Sequence, residues 1–163
     1  KKFVFSESGY NFEPSEIGAV FGLEQLKKFK KFSDQRNKNF FLHKKFFKKL
    51  NHYFITPEVL DGVYTNFLAY PIIIKNNSGI KRKEFQIFLE KNNIQTRPIF
   101  SGNILRHPAF SKLISKKNKL SLFPNSDYIM KNGLLIGCHQ GLSNKDIRYI
   151  HSVILKFKSI KRN

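Results

Sequence analysis

Between Lys27 and Leu50 the chain holds ten basic residues against one acid, Asp34, and sets Phe29, Phe32, Phe40, Phe47 and Leu50 among them. These apolar residues recur at spacings of three, seven or eight, which as a set return to one face of an α-helix and not to one face of a strand. The stretch therefore predicts one or two amphipathic helices, with Phe side chains inward and lysine stems snorkelling out along the stripe. A core-facing helix with a basic outer face is the main reading; a membrane-surface or RNA-binding helix is the alternative. Just upstream, Ser15 stands as an N-cap between Pro14 and Glu16, and Ile17, Val20, Leu23 and Leu26 continue at helical spacing. Gly18 and Gly22 share one face of that helix. Each costs roughly 1 kcal/mol of helix stability relative to Ala, so the pair predicts a close backbone approach, either from another subunit or domain or from within the chain.

Downstream the pattern changes. Residues 51–62 read as a turn-rich connector around Pro57 and Asp61-Gly62. Residues 63–74 are strongly apolar, β-branched and aromatic, and end at Asn76-Asn77-Ser78-Gly79, which predicts a buried strand. A helix is predicted over 81–92, with Phe85, Phe88 and Leu89 on one side. A short strand follows at 94–99, a loop at 100–124, a short helix at 125–131, a strand at 134–138 and a helix at 143–157. Ser143 caps that last helix, and Asp146 supplies the acid of a capping-box variant. The order predicts an α/β (α+β) fold, a small sheet of about three strands covered by helices and preceded by long helices.

The 163 residues suffice for a domain with a real core, and 18 Phe within a 40% apolar share support one. A single Cys excludes an internal disulfide framework and fits a reducing, cytoplasmic setting. No apolar run reaches the roughly 20 residues that span a bilayer, so no membrane partner is expected. The chain opens Lys1-Lys2-Phe3 without Met or an apolar leader, which predicts a piece of a longer protein. The formal charge of +19 suits an anionic partner, but the basic residues are spread along the chain, which favours a solvated basic surface. A basic nucleic-acid-binding module remains the alternative function, although no nucleic-acid motif is present and no specific nucleic acid is expected.

No nucleophile–base pair, phosphate-binding glycine loop or metal-ligand spacing is visible. Cys138 reads as a small buried apolar residue. The best anion site is the loop that begins at Arg97, before Pro98, and runs through Ser101, Gly102 and Asn103 to Arg106 and His107. Two arginines offer forks for phosphate or carboxylate, while Ser101, Asn103 and His107 add donors. Pairing of the arginines with surface acids is the competing reading. Asn11, in Gly9-Tyr10-Asn11 before a helix N-terminus, has an amide suited to an anion but equally suited to its own turn.

Three separated stretches carry a resemblance. Residues 9–26 (GYNFEPSEIGAVFGLEQL), 95–110 (QTRPIFSGNILRHPAF) and 133–149 (GLLIGCHQGLSNKDIRY) resemble, in order, the DegT/DnrJ/EryC/StrS group of pyridoxal-phosphate sugar aminotransferases and dehydratases. The second and third resemble the nucleotide-sugar 3-dehydratase subgroup. The resemblance implies the C-terminal part of a fold-type-I enzyme that works as a homodimer on nucleotide-linked keto-deoxysugars, by 3-dehydration or transamination, in polysaccharide or O-antigen biosynthesis. It implies that residues 1–50 come from the end of the large domain and the dimer interface, and that 51–163 form the small α/β domain. It implies that Asn11 reaches the cofactor phosphate of the neighbouring subunit, and that Arg97, Ser101, Asn103, Arg106 and His107 line the nucleotide-sugar pocket. The position that carries the cofactor aldehyde, Lys or in the 3-dehydratases His, falls before residue 1. The chain alone is therefore expected to be inactive, with no catalytic residue of its own.

Overall fold

The computed structural model describes residues 10, 12, 14–110 and 122–157. The first element, α1 (Glu16–Lys48), is a single helix of 33 residues, about 50 Å long at the usual rise. The two predicted helical stretches are thus one. Ser15 occupies the N-cap position in extended conformation, but its side chain makes no capping bond. Two short strands and connecting turns lead to α2 (Arg82–Lys91); β1 is Phe54–Ile55 and β2 is Ala69–Ile74. Then follow β3 (Thr96–Arg97), α3 (Pro124–Asn132), β4 (Gly133–Gly137) and α4 (Asn144–Ile154).

Among the described residues the sheet has four strands in the order β1-β2-β4-β3, every neighbouring pair antiparallel. The mixed helix and sheet architecture agrees with the expectation; the extra strand is β1, two residues long inside the predicted connector. The strand predicted over 63–74 starts only at Ala69, because its partner β4 ends at Gly137, which lies opposite Ala69. Ahead of that point Val63, Tyr64 and Leu68 are exposed. Pro71 sits mid-strand without penalty on one side, since β1 flanks only Ile73 and Ile74.

Alternation along β2 puts Tyr70, Ile72 and Ile74 on the helix-covered face, all essentially inaccessible. Against them pack Phe40 and Phe47 of α1, Phe85 and Leu89 of α2, and Ile147, Ile150 and Ile154 of α4. Phe40 stacks on Phe67 with ring centroids 3.5 Å apart, and Phe47 stacks on Tyr70 at 5.4 Å. Of the predicted stripe, Phe40, Phe47 and Leu50 are in the core, while Phe32 is half-buried and Phe29 is exposed. The core stripe begins only at Ser33, which is buried and bonded to Tyr64 (3.1 Å) and Asn66. Before it, Ile17, Val20, Phe21, Leu23 and Leu26 all face outward. A Cβ on Gly22 would meet nothing within 4 Å, and one on Gly18 only Ser15 of its own helix. Among the described residues, the glycine pair therefore makes no tight contact within the chain.

The capping box forms as expected: Asp146 N–H donates to Ser143 Oγ at 3.3 Å, and Ser143 N–H donates to Asp146 Oδ2 at 2.8 Å. The hydrogen bond from Ser143 holds the Asp146 carboxyl below its ordinary range.

Candidate functional site

The sheet delivers Arg97 to the end of β3, opposite Leu135 of β4, and Pro98 turns the chain away from the ladder. The turn closes through Gly102 N–H donating to Ile99 O at 3.1 Å. Phe100 (φ 46°) and Gly102 (φ 63°) both take left-handed backbone, which is unusual for a bulky aromatic residue. Phe100 is 82% exposed at the tip. Asn103 is buried at the start of a 3-10 turn (Ile104–Arg106), where its Oδ1 accepts from Leu105 N–H at 3.1 Å.

Most donors of this loop are engaged within the chain. Arg106 makes a two-pronged bond to Asp127 of α3, with Nε 2.8 Å from Oδ1 and the second nitrogen on Oδ2. Asn103 Nδ2 donates to the same Oδ1 at 2.9 Å. The Arg106 bond, aided by Asn103, holds the Asp127 carboxyl down at about 2. His107 Nε2 donates to Ser101 O at 2.7 Å, since a carbonyl can only accept. Sequence reasoning misses Asp127, although it is the only acid in the sequence between Glu90 and Asp146.

Arg97 differs. Its side chain is exposed and makes no hydrogen bond or ion pair among the described residues. It stands on the wall of a cleft of about 610 Å³ that runs from the β3 edge to α4. Gly137, Leu135, Leu142 and Ile150 give the cleft an apolar lining; Gln95, His139 and Tyr149 add polar groups. His139 Nδ1 accepts from Gly141 N–H at 3.1 Å, which puts the proton of the neutral ring on Nε2 and makes that nitrogen a donor. Asp146 also borders the cleft but is closed into the capping box. The structure thus brings Arg97 to this cleft and ties Asn103, Arg106 and His107 into the neighbouring loop. Asn11 lies outside the described residues.

The turn that forms one end of the cleft is held from below by α1. Asn39 Nδ2 donates to the carbonyls of His139 and Leu142, both at 3.0 Å, and Gln35 Nε2 reaches Leu142 O at 3.2 Å. Arg36 Nε donates to Gln140 Oε1 at 2.7 Å. These polar residues of α1 were missed from the sequence; the signal was their recurrence among the Lys and Phe residues at Gln35, Asn39 and His43, four apart on one face. Cys138 is buried, with its thiol pushed up to about 11 by burial and lying 3.7 Å from Phe67 O, as befits an inert side chain. Among the described residues no group of three or more His, Cys, Asp or Glu could hold a metal ion, and no helix is long and apolar enough to cross a membrane.

A model of the DegT/DnrJ/EryC1/StrS aminotransferase family matches residues 1–155. The chain is 31% identical to the lipopolysaccharide biosynthesis protein RfbH of Salmonella typhimurium over 96% of its own length and 35% of the relative's. It is 33% identical to GDP-4-keto-6-deoxy-D-mannose 3-dehydratase of Escherichia coli O55:H7, covering 94% of this chain and 39% of that one. The solved structure of an E. coli GDP-4-keto-6-deoxy-D-mannose-3-dehydratase with bound hydrated PLP superposes with a TM-score of 0.76 at 30% identity, over 93% of this chain and 38% of that one. The fold also matches Helicobacter pylori PseC, an aminotransferase of pseudoaminic acid biosynthesis, with a TM-score of 0.79 at 22% identity. The chain spans little more than a third of the length of these relatives.

Proposed function

The chain belongs to the DegT/DnrJ/EryC1/StrS aminotransferase family, and from that premise we propose that it is the sugar-nucleotide-binding portion of a pyridoxal-phosphate enzyme that modifies nucleotide-linked keto-deoxysugars. Its reaction is 3-dehydration rather than transamination. Support comes from the relatives, since those above 30% identity include a 3-dehydratase, whereas a transaminase of Campylobacter jejuni is 26% identical. Polysaccharide biosynthesis in the cytoplasm is the setting, and the working assembly is a homodimer.

The observation that carries the reading is the Arg97 guanidinium, which has no partner among the described residues and stands on a largely apolar cleft. A planar cation with no bonded partner among the described residues, beside a mostly apolar lining whose one acid, Asp146, is closed into the capping box, suits the diphosphate of a sugar nucleotide, with the cleft receiving its less polar part. Ser101 and the backbone of the Phe100 turn lie next to it in sequence, while Asp127 fixes Asn103 and Arg106 so that the turn keeps its shape. Pyridoxal phosphate would supply the electron sink for cleavage at the sugar carbon. The described residues do not form its cradle: no lysine among them is fully buried, and the cleft's one acid is engaged at a helix N-terminus. No step is therefore assigned to this chain through that group, and Asn11 is proposed only as a contact to its phosphate. The outward apolar face of α1, residues 17–29, together with Gly18 and Gly22, supports a position against the large domain and partner subunit.

Binding of GDP-4-keto-6-deoxy-D-mannose to the natural polypeptide that carries this sequence tests the assignment. Arg97→Ala is expected to weaken binding at least about tenfold, the loss of one charge-assisted contact. Unchanged affinity would remove Arg97 from the site. The 163-residue chain with added pyridoxal phosphate is expected to give no turnover, and measurable dehydration by it would overturn the division of labour proposed here.

A further inference from the structure

Beneath the cleft, two histidines from different helices meet the end of β4. His43 of α1 is fully buried, with Nδ1 3.0 Å from His151 Nε2 of α4 and Nε2 3.0 Å from Gly137 O. The His151 ring lies flat on Phe46, with centroids 3.9 Å apart and planes within 4°. The proton arrangement follows from the acceptor. A backbone carbonyl has no hydrogen to give, so His43 Nε2 carries the proton; in the neutral ring Nδ1 is then a bare acceptor, and His151 Nε2–H must be the donor. A relay of fixed polarity therefore runs from α4 through α1 to the last residue of β4, the same Gly137 that borders the cleft.

We propose that the His43–His151 pair is an acid-release joint, which clamps α1 and α4 to the end of β4 while the pair holds at most one extra proton and opens when both rings are charged. One added proton has a place to go, His151 Nδ1, without breaking either bond. A second puts N–H against N–H across 3.0 Å and sets two like charges in contact. Among the described residues no acid is paired with either ring to offset that charge. From β2 the pair faces Tyr70, whose hydroxyl burial pushes up to about 12 and keeps neutral. From β4 it faces the Gly137 carbonyl, next to the neutral Cys138 thiol. On α1 its neighbours are Phe46 and Phe47, and Arg36, two turns earlier on the same face, is a further cation already bonded to Gln140. Neither ring has an ion pair among the described residues.

Burial holds His43 down at about 4 against the opposing pull of its Gly137 bond, and burial followed by His43 itself holds His151 at about 3, both from 6.5. The unfolded chain therefore binds protons that the folded chain refuses. Stability from the pair is complete above about 6.5 and is lost as pH falls toward 4 and then 3. Within that window each ring raises the unfolding constant tenfold per pH unit.

The test is long-range nitrogen–proton NMR of the imidazoles in the folded 163-residue chain, with urea unfolding from pH 7.5 to 4. The expected result is a protonated Nε2 on both rings at pH 7.5, neither ring charged at pH 5.5, and a steeper fall in the urea midpoint below pH 6.5 than in His43→Gln/His151→Leu. His43 with its proton on Nδ1, or both rings charged in a chain that stays folded, would overturn the joint. So would an unchanged pH response in the double variant. If that variant does not fold, the ring signals of the parent chain still decide.

Discussion

A methyl group placed on Gly102 would sit 2.5 Å from Met130 Cγ and 3.2 Å from Met130 Cα, at a backbone angle (φ 63°) that side-chain-bearing residues rarely adopt. Gly102→Ala is therefore expected to destabilise the chain by about 1–3 kcal/mol, measured by urea unfolding. Adding Met130→Ala should recover little of this, since Met130 Cβ, 2.6 Å from the added methyl, and the backbone angle both remain. No loss in the single variant would mean that the turn relaxes freely. The same loop shows what single residues reveal in a sequence. Arg97, Asn103, Arg106 and His107 stand out because their chemistry is visible in their side chains. That Arg106 is already taken by Asp127, 21 residues on, depends on how α3 lies against the loop, which no local pattern encodes.

At the scale of elements, the last helix was readable to its cap because a capping box is written in four adjacent residues, Ser143 to Asp146. Ser143→Ala should cost about 1 kcal/mol in thermal unfolding. Phe40→Ala, which removes a fully buried ring stacked on Phe67, should cost about 3–5 kcal/mol. If the cap proved the costlier loss, the ranking of local against tertiary contributions in this fold would be reversed. The strands were less readable. β2 could be found from its apolar run, but its start at Ala69 is set by where β4 stops, and β1 consists of two residues whose only distinction is a ladder to Ile73 and Ile74. In α1 the helical spacing is plain throughout, but that Ile17 to Leu26 face outward while Phe40 and Phe47 fill the core is expected only from the resemblance, which sets residues 1–50 at the large domain and dimer interface, and not from the spacing. Periodicity identifies a face; it does not say what covers it.

For the whole molecule, the outward apolar stripe of α1 and a formal charge of +19 act in opposite directions. Ile17, Val20, Phe21, Leu23 and Leu26 together form the kind of patch that drives association, while like charge keeps copies apart. Salt screens the second effect and leaves the first. Sedimentation of the 163-residue chain is therefore expected to show self-association that rises with salt and falls in Ile17→Glu/Phe21→Glu. A chain monomeric at high salt and high concentration would show that this face needs no cover. The sheet has its own bearing on how copies can meet. Its outermost strands, β1 and β3, are two residues each, and the uncovered flank of β2 carries Pro71. An edge so short offers almost no row of free amides for another backbone to align with, and a proline interrupts what remains. Among the described residues, fibril growth by strand addition therefore finds no long template, and the outward face of α1 is the larger surface by which copies of the chain can adhere.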